Sequence, residues 1–412
     1  MFLSTHAQSI SLLLLVALGS VACQDHMTAG DGFQQMVADT SADVTLGYEG
    51  HTTNGRLAAQ NLSSQIQGRA VMARSRPSDP LMGQQLVALL LSRAHYLGTY
   101  SDFQDALSVA NEMRLETGAS DDAKLMNAHV LTALHEFSAA QDILLSLRES
   151  SGEARDLLAN IHIATSGDLE MVRAQRQGRA EAYPNFQNLS AWAVAESALG
   201  HYEQADTLYI RALEAYGDVS PLPVAWIQFQ RGVMWAESAD KPEKALPLYR
   251  EAVARLPGYV VANVHLAELE AELGQRNSAI DRLRSLIAQT EDPEPAGLLG
   301  EILLRDNPEE AQVYIEKARE MYNHLLDLHP HAFADHGAEF FSGPGGEPKR
   351  ALSLALGNLE RRPTPRAYTV AMEVAEVAGE HGLACQLARE VDFAYANVVL
   401  DRLTQQMLSR CN

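Results

Sequence analysis

The sequence predicts an all-α fold, a solenoid of antiparallel helix pairs, and three observations carry that prediction. From Arg56 onward apolar residues recur at i, i+3, i+4 and i+7, the stripe of an amphipathic helix. No alternating β-branched stretch long enough to build a sheet interrupts the stripe. A small residue also returns at a nearly constant interval: Ala106, Ala140, Val172, Ala205, Ala245, Ala279, Ala311, Ala351 and Ala384, in steps of 34, 32, 33, 40, 34, 32, 40 and 33 residues. A period of that size marks stacked units, none of which can bury its apolar face alone.

Composition narrows the function. Of 412 residues 46% are hydrophobic, enough for a sizeable core, and 53 acidic residues against 32 basic ones give a formal charge of −21. Nucleic acid is excluded as a partner, because its phosphates need clustered Lys and Arg and no such cluster occurs. The same balance disfavours electrostatic docking on anionic lipid. The cysteines are Cys23, Cys385 and Cys411, with no C-x-x-C pair to suggest a zinc ribbon or a dithiol site. Cys385 and Cys411 read as separate thiols, which would pair only in an oxidising compartment and with suitable geometry.

In chain order, residues 1–22 read as a signal peptide. Ile10 to Ala22 is one apolar run of h-region length, short of the roughly 20 residues a membrane span needs. Gly19, Ser20 and Ala22 crowd its end before Cys23, an ending that resembles the lipobox of bacterial lipoproteins. The resemblance implies cleavage between Ala22 and Cys23, a lipid on Cys23, and outer-membrane sorting facing the periplasm, since Gln24 rather than Asp follows. Cleavage at the same place without lipid, giving a protein secreted to the periplasm, is the alternative. Residues 23–53 read as lipid-attachment cysteine and flexible polar tether. Residues 54–84 read as a leading helix and linker.

The repeats fill residues 85–391, about nine in number. The clearest are "GHYEQADTLYIRALEAYG" from Gly200 and "KPEKALPLYREAVARLPGY" from Lys241. In each second helix a small residue is followed four later by Tyr and seven later by Ala: Ala205, Tyr209, Ala212, and Ala245, Tyr249, Ala252. Small residues let paired helices approach, and the aromatic fills the gap to the next unit. This pattern resembles the tetratricopeptide repeat, with Glu196 and Glu270 standing where a first-helix aromatic is usual. The resemblance implies a right-handed superhelix, closed by a capping helix over 392–412, that serves as a non-catalytic protein–protein interaction scaffold. Its groove of first helices would grip a peptide or helix of another protein. His129, Glu268 and Glu272 would face that groove, and an acidic groove would favour a basic or neutral segment.

The remaining motifs are few. His324, His329, His331 and His336 lie close to Asp335 and Glu339, and His329, His331, His336 and Glu339 offer donors for Zn²⁺ or Cu²⁺. A metal-binding protein or metal-dependent enzyme is therefore the alternative to the scaffold. Pro330 divides the cluster, and solvated loop histidines are the competing reading. "SGPGGEPK" from Ser342 lacks phosphate-loop spacing and reads as a turn between helices. Trp192, Trp226 and Trp235 read as core, or else as an aromatic patch in the groove. No nucleophile elbow, kinase set or cofactor fingerprint appears, so no catalytic residue and no cofactor are expected, and the membrane is met through Cys23 only.

Overall fold

Side-chain caps open eight of the helices. The Asn54 side chain accepts the N–H groups of Arg56 and Leu57, and Asp79, Ser120, Ser151, Asp168, Asn185, Asn307 and Thr364 cap later helices in the same way. The structure, a computed structural model, describes residues 44–76, 78–148, 151–395 and 402–411. Signal peptide and Cys23 lie outside the described residues.

Among the described residues the elements are all helices. A leading helix α1 (Gly55–Ser75) is followed by nine consecutive pairs. The first four are α2 (Pro80–Leu97) with α3 (Ser101–Glu116), α4 (Asp121–Ala133) with α5 (Phe137–Leu145), α6 (Gly152–Ala164) with α7 (Leu169–Ala182), and α8 (Phe186–Ala198) with α9 (Tyr202–Glu214). Next come α10 (Pro221–Val233) with α11 (Pro242–Arg255), and α12 (Val260–Glu272) with α13 (Arg276–Ile287). The last three are α14 (Glu294–Leu303) with α15 (Pro308–Leu328), α16 (Ala334–Ser342) with α17 (Pro348–Arg361), and α18 (Pro365–Val377) with α19 (His381–Ala394). A short α20 (Arg402–Arg410) follows.

The periodic small residues explain the pairing. Ala106, Ala140, Val172, Ala205, Ala245, Ala279, Ala311, Ala351 and Ala384 each sit on the second helix of a pair, and every one is 0% exposed. A larger side chain there would force the two helices apart, an overpacking cost of about 1–3 kcal/mol. Tyr209 and Tyr249, four residues on, are buried. In the Val172 unit the equivalent place holds Arg176, also buried, whose guanidinium donates to the Ala191 carbonyl at 3.0 Å and to Asn160. Burial pulls its pKa down to about 10.

The polar departures are satisfied. Glu196 accepts from Trp192 Nε1 at 2.6 Å and from Gln204 at 3.1 Å, and faces His201 Nδ1 at 2.6 Å. Glu270 is held by both arms of Arg282, at 3.0 and 2.8 Å. Trp192, Trp226 and Trp235 are buried in the core rather than lining a groove.

Successive first helices α2 and α4, α4 and α6, α12 and α14, α14 and α16, α16 and α18 also touch, while no comparable contact joins successive second helices. The array therefore curves with first helices inside. It curves enough to meet itself. Gly98 O, in the turn after α2, accepts the N–H of Glu291 at 2.9 Å and the Thr290 hydroxyl at 3.1 Å, while Tyr100 OH donates to Asp292 at 2.7 Å. Gln104 of α3 meets His329 at 3.1 Å, and one unit further along His331 meets Glu136 at 2.7 Å and the His331 carbonyl meets the His135 ring at 3.2 Å. One apolar cluster runs through both sides of this seam, from Leu86 and Met126 to Leu299 and Phe333.

Two expectations are corrected. Residues 44–53, expected as the end of a flexible tether, form a strap across the middle pairs. Arg231, 0% exposed, donates to the carbonyls of Thr45 (2.7 Å) and Leu46 (3.1 Å), and Gln228 donates to Leu46 at 2.6 Å. Tyr48 lies edge-on to Tyr216 beneath the Arg255 guanidinium, and Thr53 N–H donates to the Val219 carbonyl at 2.7 Å. Backbone groups of the strap, mainly carbonyls, make most of its polar attachment. The second correction concerns the thiols: Cys385 and Cys411 are joined as a disulfide with Cα atoms 5.5 Å apart, because α20 folds back along α19.

Candidate functional site

The inner face of the last five pairs gathers ionisable groups that a solenoid would ordinarily leave to solvent. The α10 helix ends in a π-helical turn, Met234–Ser238, which brings Glu237 inward. His265 and Glu268 come from α12, Glu294 from α14, His336 and Glu339 from α16, and Arg366 from α18. These are the first helices of five consecutive pairs. Arg366 grips Glu339 at 2.8 Å and reaches Glu237 at 3.9 Å, and His265 stands 3.3 Å from Glu237 and 3.8 Å from Glu268. His336 pairs with Glu294 and lies 3.9 Å from both Glu339 and Asp335. Arg362 closes the set on Asp335 at 3.2 Å.

Burial sets the charge states. It raises the Glu237 carboxyl to about 8 and Glu339 to about 7, although Arg366 pulls against both. Glu268 is pushed well up by burial, then by the carboxylates Glu294 and Glu237. His265 is driven down to about 3 by the same loss of water and is neutral. Burial alone would also lower His336, but Glu294 and Asp335 outweigh it and carry the imidazolium to about 10. In return His336 holds Glu294 below its ordinary value against burial, and His336 and Arg362 do the same for Asp335. Counting Asp292, six carboxyl groups meet two guanidiniums and one imidazolium, and burial holds Glu237, Glu268, Glu339 and Asp292 toward their neutral forms.

Beside this network, where the seam closes, lies a cavity of about 100 Å³. Its walls come from α2, α3, α4, α5 and α6 on one side and α12, α14, α15 and α16 on the other, with the turns beside them. Tyr100, Phe103 and Phe333 form one wall, with ring centroids 4.9 to 6.4 Å apart. Asp292 and Glu294 form another, and His95, His135 and His336 also line it. His135 is held there at φ 58°, in the left-handed turn position that glycine fills at Gly98, Gly200, Gly274 and Gly379. A non-glycine residue adopts that conformation at a cost of about 1–3 kcal/mol. Burial lowers His135 to about 3 and His95 to about 4, so both rings are neutral.

The sequence-predicted residues distribute unevenly. Glu268 lies within the inner network. Glu272 is on the exposed end of the same helix, and His129 is drawn to Glu153 at 2.9 Å. The metal set does not converge: His329 turns to Gln104, His331 to Glu136, and His336 to Glu294 beside Glu339. No group of three His, Cys, Asp or Glu among the described residues could hold a metal ion. Pro330 and the turn around it send these imidazoles to different elements. Glu237, Glu294, Asp292 and Arg366 escaped sequence reasoning. The one trace was a run of acidic residues at first-helix positions facing away from the apolar stripe.

Residues 236–302, from the π-helical turn through most of α14, match the tetratricopeptide repeat. No curated protein matches the chain. Among solved structures it is similar to the P58(IPK) TPR domain, at 15% identity over 86% of this chain and 94% of that one, with a TM-score of 0.26. It is also similar to the APC/C hetero-tetramer Cut9–Hcn1, at 15% identity, 80% of this chain, 62% of that one and a TM-score of 0.42. A third is Naa15/Naa10 bound to HypK-THB, at 13% identity, 87% and 65% coverage and a TM-score of 0.28.

Proposed function

We propose that this chain is a non-catalytic scaffold that holds another protein, tethered to the bacterial envelope through a lipid on Cys23 and facing the periplasm. The observation that carries the reading is the inner face itself. Five consecutive pairs bring Glu237, Glu268, Glu294, Glu339 and Arg366 to one face, and no nucleophile–base pair is assembled around a reacting site among the described residues. The chain's formal charge of −21 favours a basic or neutral segment over an acidic one. The segment held is a peptide or a helix of another protein. The disulfide Cys385–Cys411 suits an oxidising compartment.

The test is crosslinking in the native host followed by capture of the full-length protein and of Cys23→Ser. The scaffold reading expects a specific partner with the intact chain, and membrane fractionation that moves to the soluble fraction in Cys23→Ser. Absence of any specific partner sinks the scaffold; unchanged fractionation sinks the anchor.

A further inference from the structure

The cavity at the seam has the chemistry of a cation site for an organic ligand. Asp292, 2% exposed, accepts from Tyr100 OH on one oxygen and from the Glu294 N–H on the other (2.9 Å), which leaves lone pairs on both. Glu294 gives Oε1 to His336. The remaining histidines of the wall, His95 and His135, are neutral, and burial with the neighbouring Glu294 raises Asp292 to about 7, so above that pH two carboxylates face one imidazolium and the cavity lacks one positive charge. Tyr322, 2% exposed, also lines it. The aromatic trio Tyr100, Phe103 and Phe333 offers ring faces of the kind that hold alkylammonium groups. An inorganic divalent ion would need three converging donors, which are absent among the described residues. An anion would meet no unpaired cation.

We propose that this cavity binds a primary alkylammonium ion, with its charged end on Asp292 and Glu294 and its carbon chain against Tyr100, Phe103 and Phe333. The volume of about 100 Å³ is room for several waters, or for the short aliphatic chain that displaces them. The same group is supplied by a free aliphatic amine or by a lysine side chain of the scaffold's partner. The site stands whichever partner protein the scaffold holds.

The test is calorimetric titration of the full chain with n-butylammonium and 1,4-diaminobutane, beside n-butanol and Mg²⁺. Saturable binding of the amines is expected, with none for butanol or Mg²⁺. Asp292→Asn and Ala133→Leu should each weaken amine binding at least tenfold. Ala133→Leu fills the cavity and leaves every charge in place, so it decides the matter if Asp292→Asn fails to fold. A lysine-containing peptide that competes with the diamine assigns the group to a partner's side chain. Diamine binding without peptide competition assigns it to a free amine. The proposal is overturned if folded wild-type protein binds neither amine, if butanol or Mg²⁺ binds as well as the amines, or if Ala133→Leu binds them unchanged.

Discussion

Tyr100 and Asp292 are 192 residues apart in the chain, and the hydroxyl of one donates to the carboxylate of the other at 2.7 Å inside the protein. Around them Gly98 meets Glu291 and Thr290, so the bond belongs to a seam. Tyr100→Phe keeps the ring stacked on Phe103 and removes only the donor. A buried acceptor left short of a partner costs about 1–3 kcal/mol. The expected result is that loss in urea denaturation, with faster amide exchange at Glu291 and at Ser101. Unchanged exchange there would show that the seam is held by apolar contact alone.

The inner network makes stability fall as pH rises. Glu237 and Glu339, raised to about 8 and 7 in the folded protein, favour folding fully below the ordinary carboxyl range near 4. That contribution is lost as pH climbs through 7 and 8. His336, raised to about 10, adds a contribution that is whole below about 6.5 and gone above 10. Glu294 and Asp335 are lowered instead, and their share disappears only as pH falls below 4. Unfolding free energy should therefore decline between pH 7 and pH 9, above the range where the lowered His95, His135 and His265 act in the opposite sense. Glu237→Gln should remove on the order of 1–4 kcal/mol of that decline. A decline of the same size in wild type and variant would contradict the assignment.

Arg231 ties the strap to the array through Asp206, Thr45 and Leu46. Arg231→Met removes the Thr45 carbonyl's donor and takes one donor each from Asp206 and the Leu46 carbonyl, which keep Trp235 and Gln228, and about 3 kcal/mol of destabilisation is expected. Limited proteolysis supplies the specific readout: cleavage between residues 44 and 53 should appear in the variant well before any cut within the helices. Simultaneous cleavage everywhere would mean that the strap has no separate attachment.

The bridge Cys385–Cys411 spans a separation of 26 residues. Opening a loop of that size by Cys411→Ser should cost about 3 kcal/mol, and reductant should do the same to the wild type. The readout is the thermal midpoint with and without reductant. A midpoint insensitive to reductant in the wild type would mean that the two thiols are not joined in the protein.

The pairs were legible in the sequence because helix packing writes itself as a period. Ala106 through Ala384 mark the close approaches, and all nine lie at zero exposure. The seam was not legible, because its contacts use the carbonyls of Gly98 and His331, and a carbonyl has no sequence identity. The strap failed to register for the same reason. Val44, Leu46 and Tyr48 are its only large apolar residues, spread too thinly to outweigh Gly47 and Gly50. Of the candidate site, Glu268, His336 and Glu339 were named, but as parts of two unrelated features. Only the curvature of the first helices brings a groove residue and a loop histidine to one place.

A linear repeat array can gain or lose a unit at little cost, since each unit answers only to its neighbours. This one cannot. The turn of the first pair meets the turn after the sixth, and the turn of the second meets the turn after the seventh. One extra pair anywhere between would slide each contact a full unit out of alignment and set Tyr100 before the wrong loop. The number of units in the ring is thus fixed by geometry, as the number of teeth is fixed in a gear that must mesh with itself, and such a chain can diverge by substitution but not by duplicating a unit inside the turn.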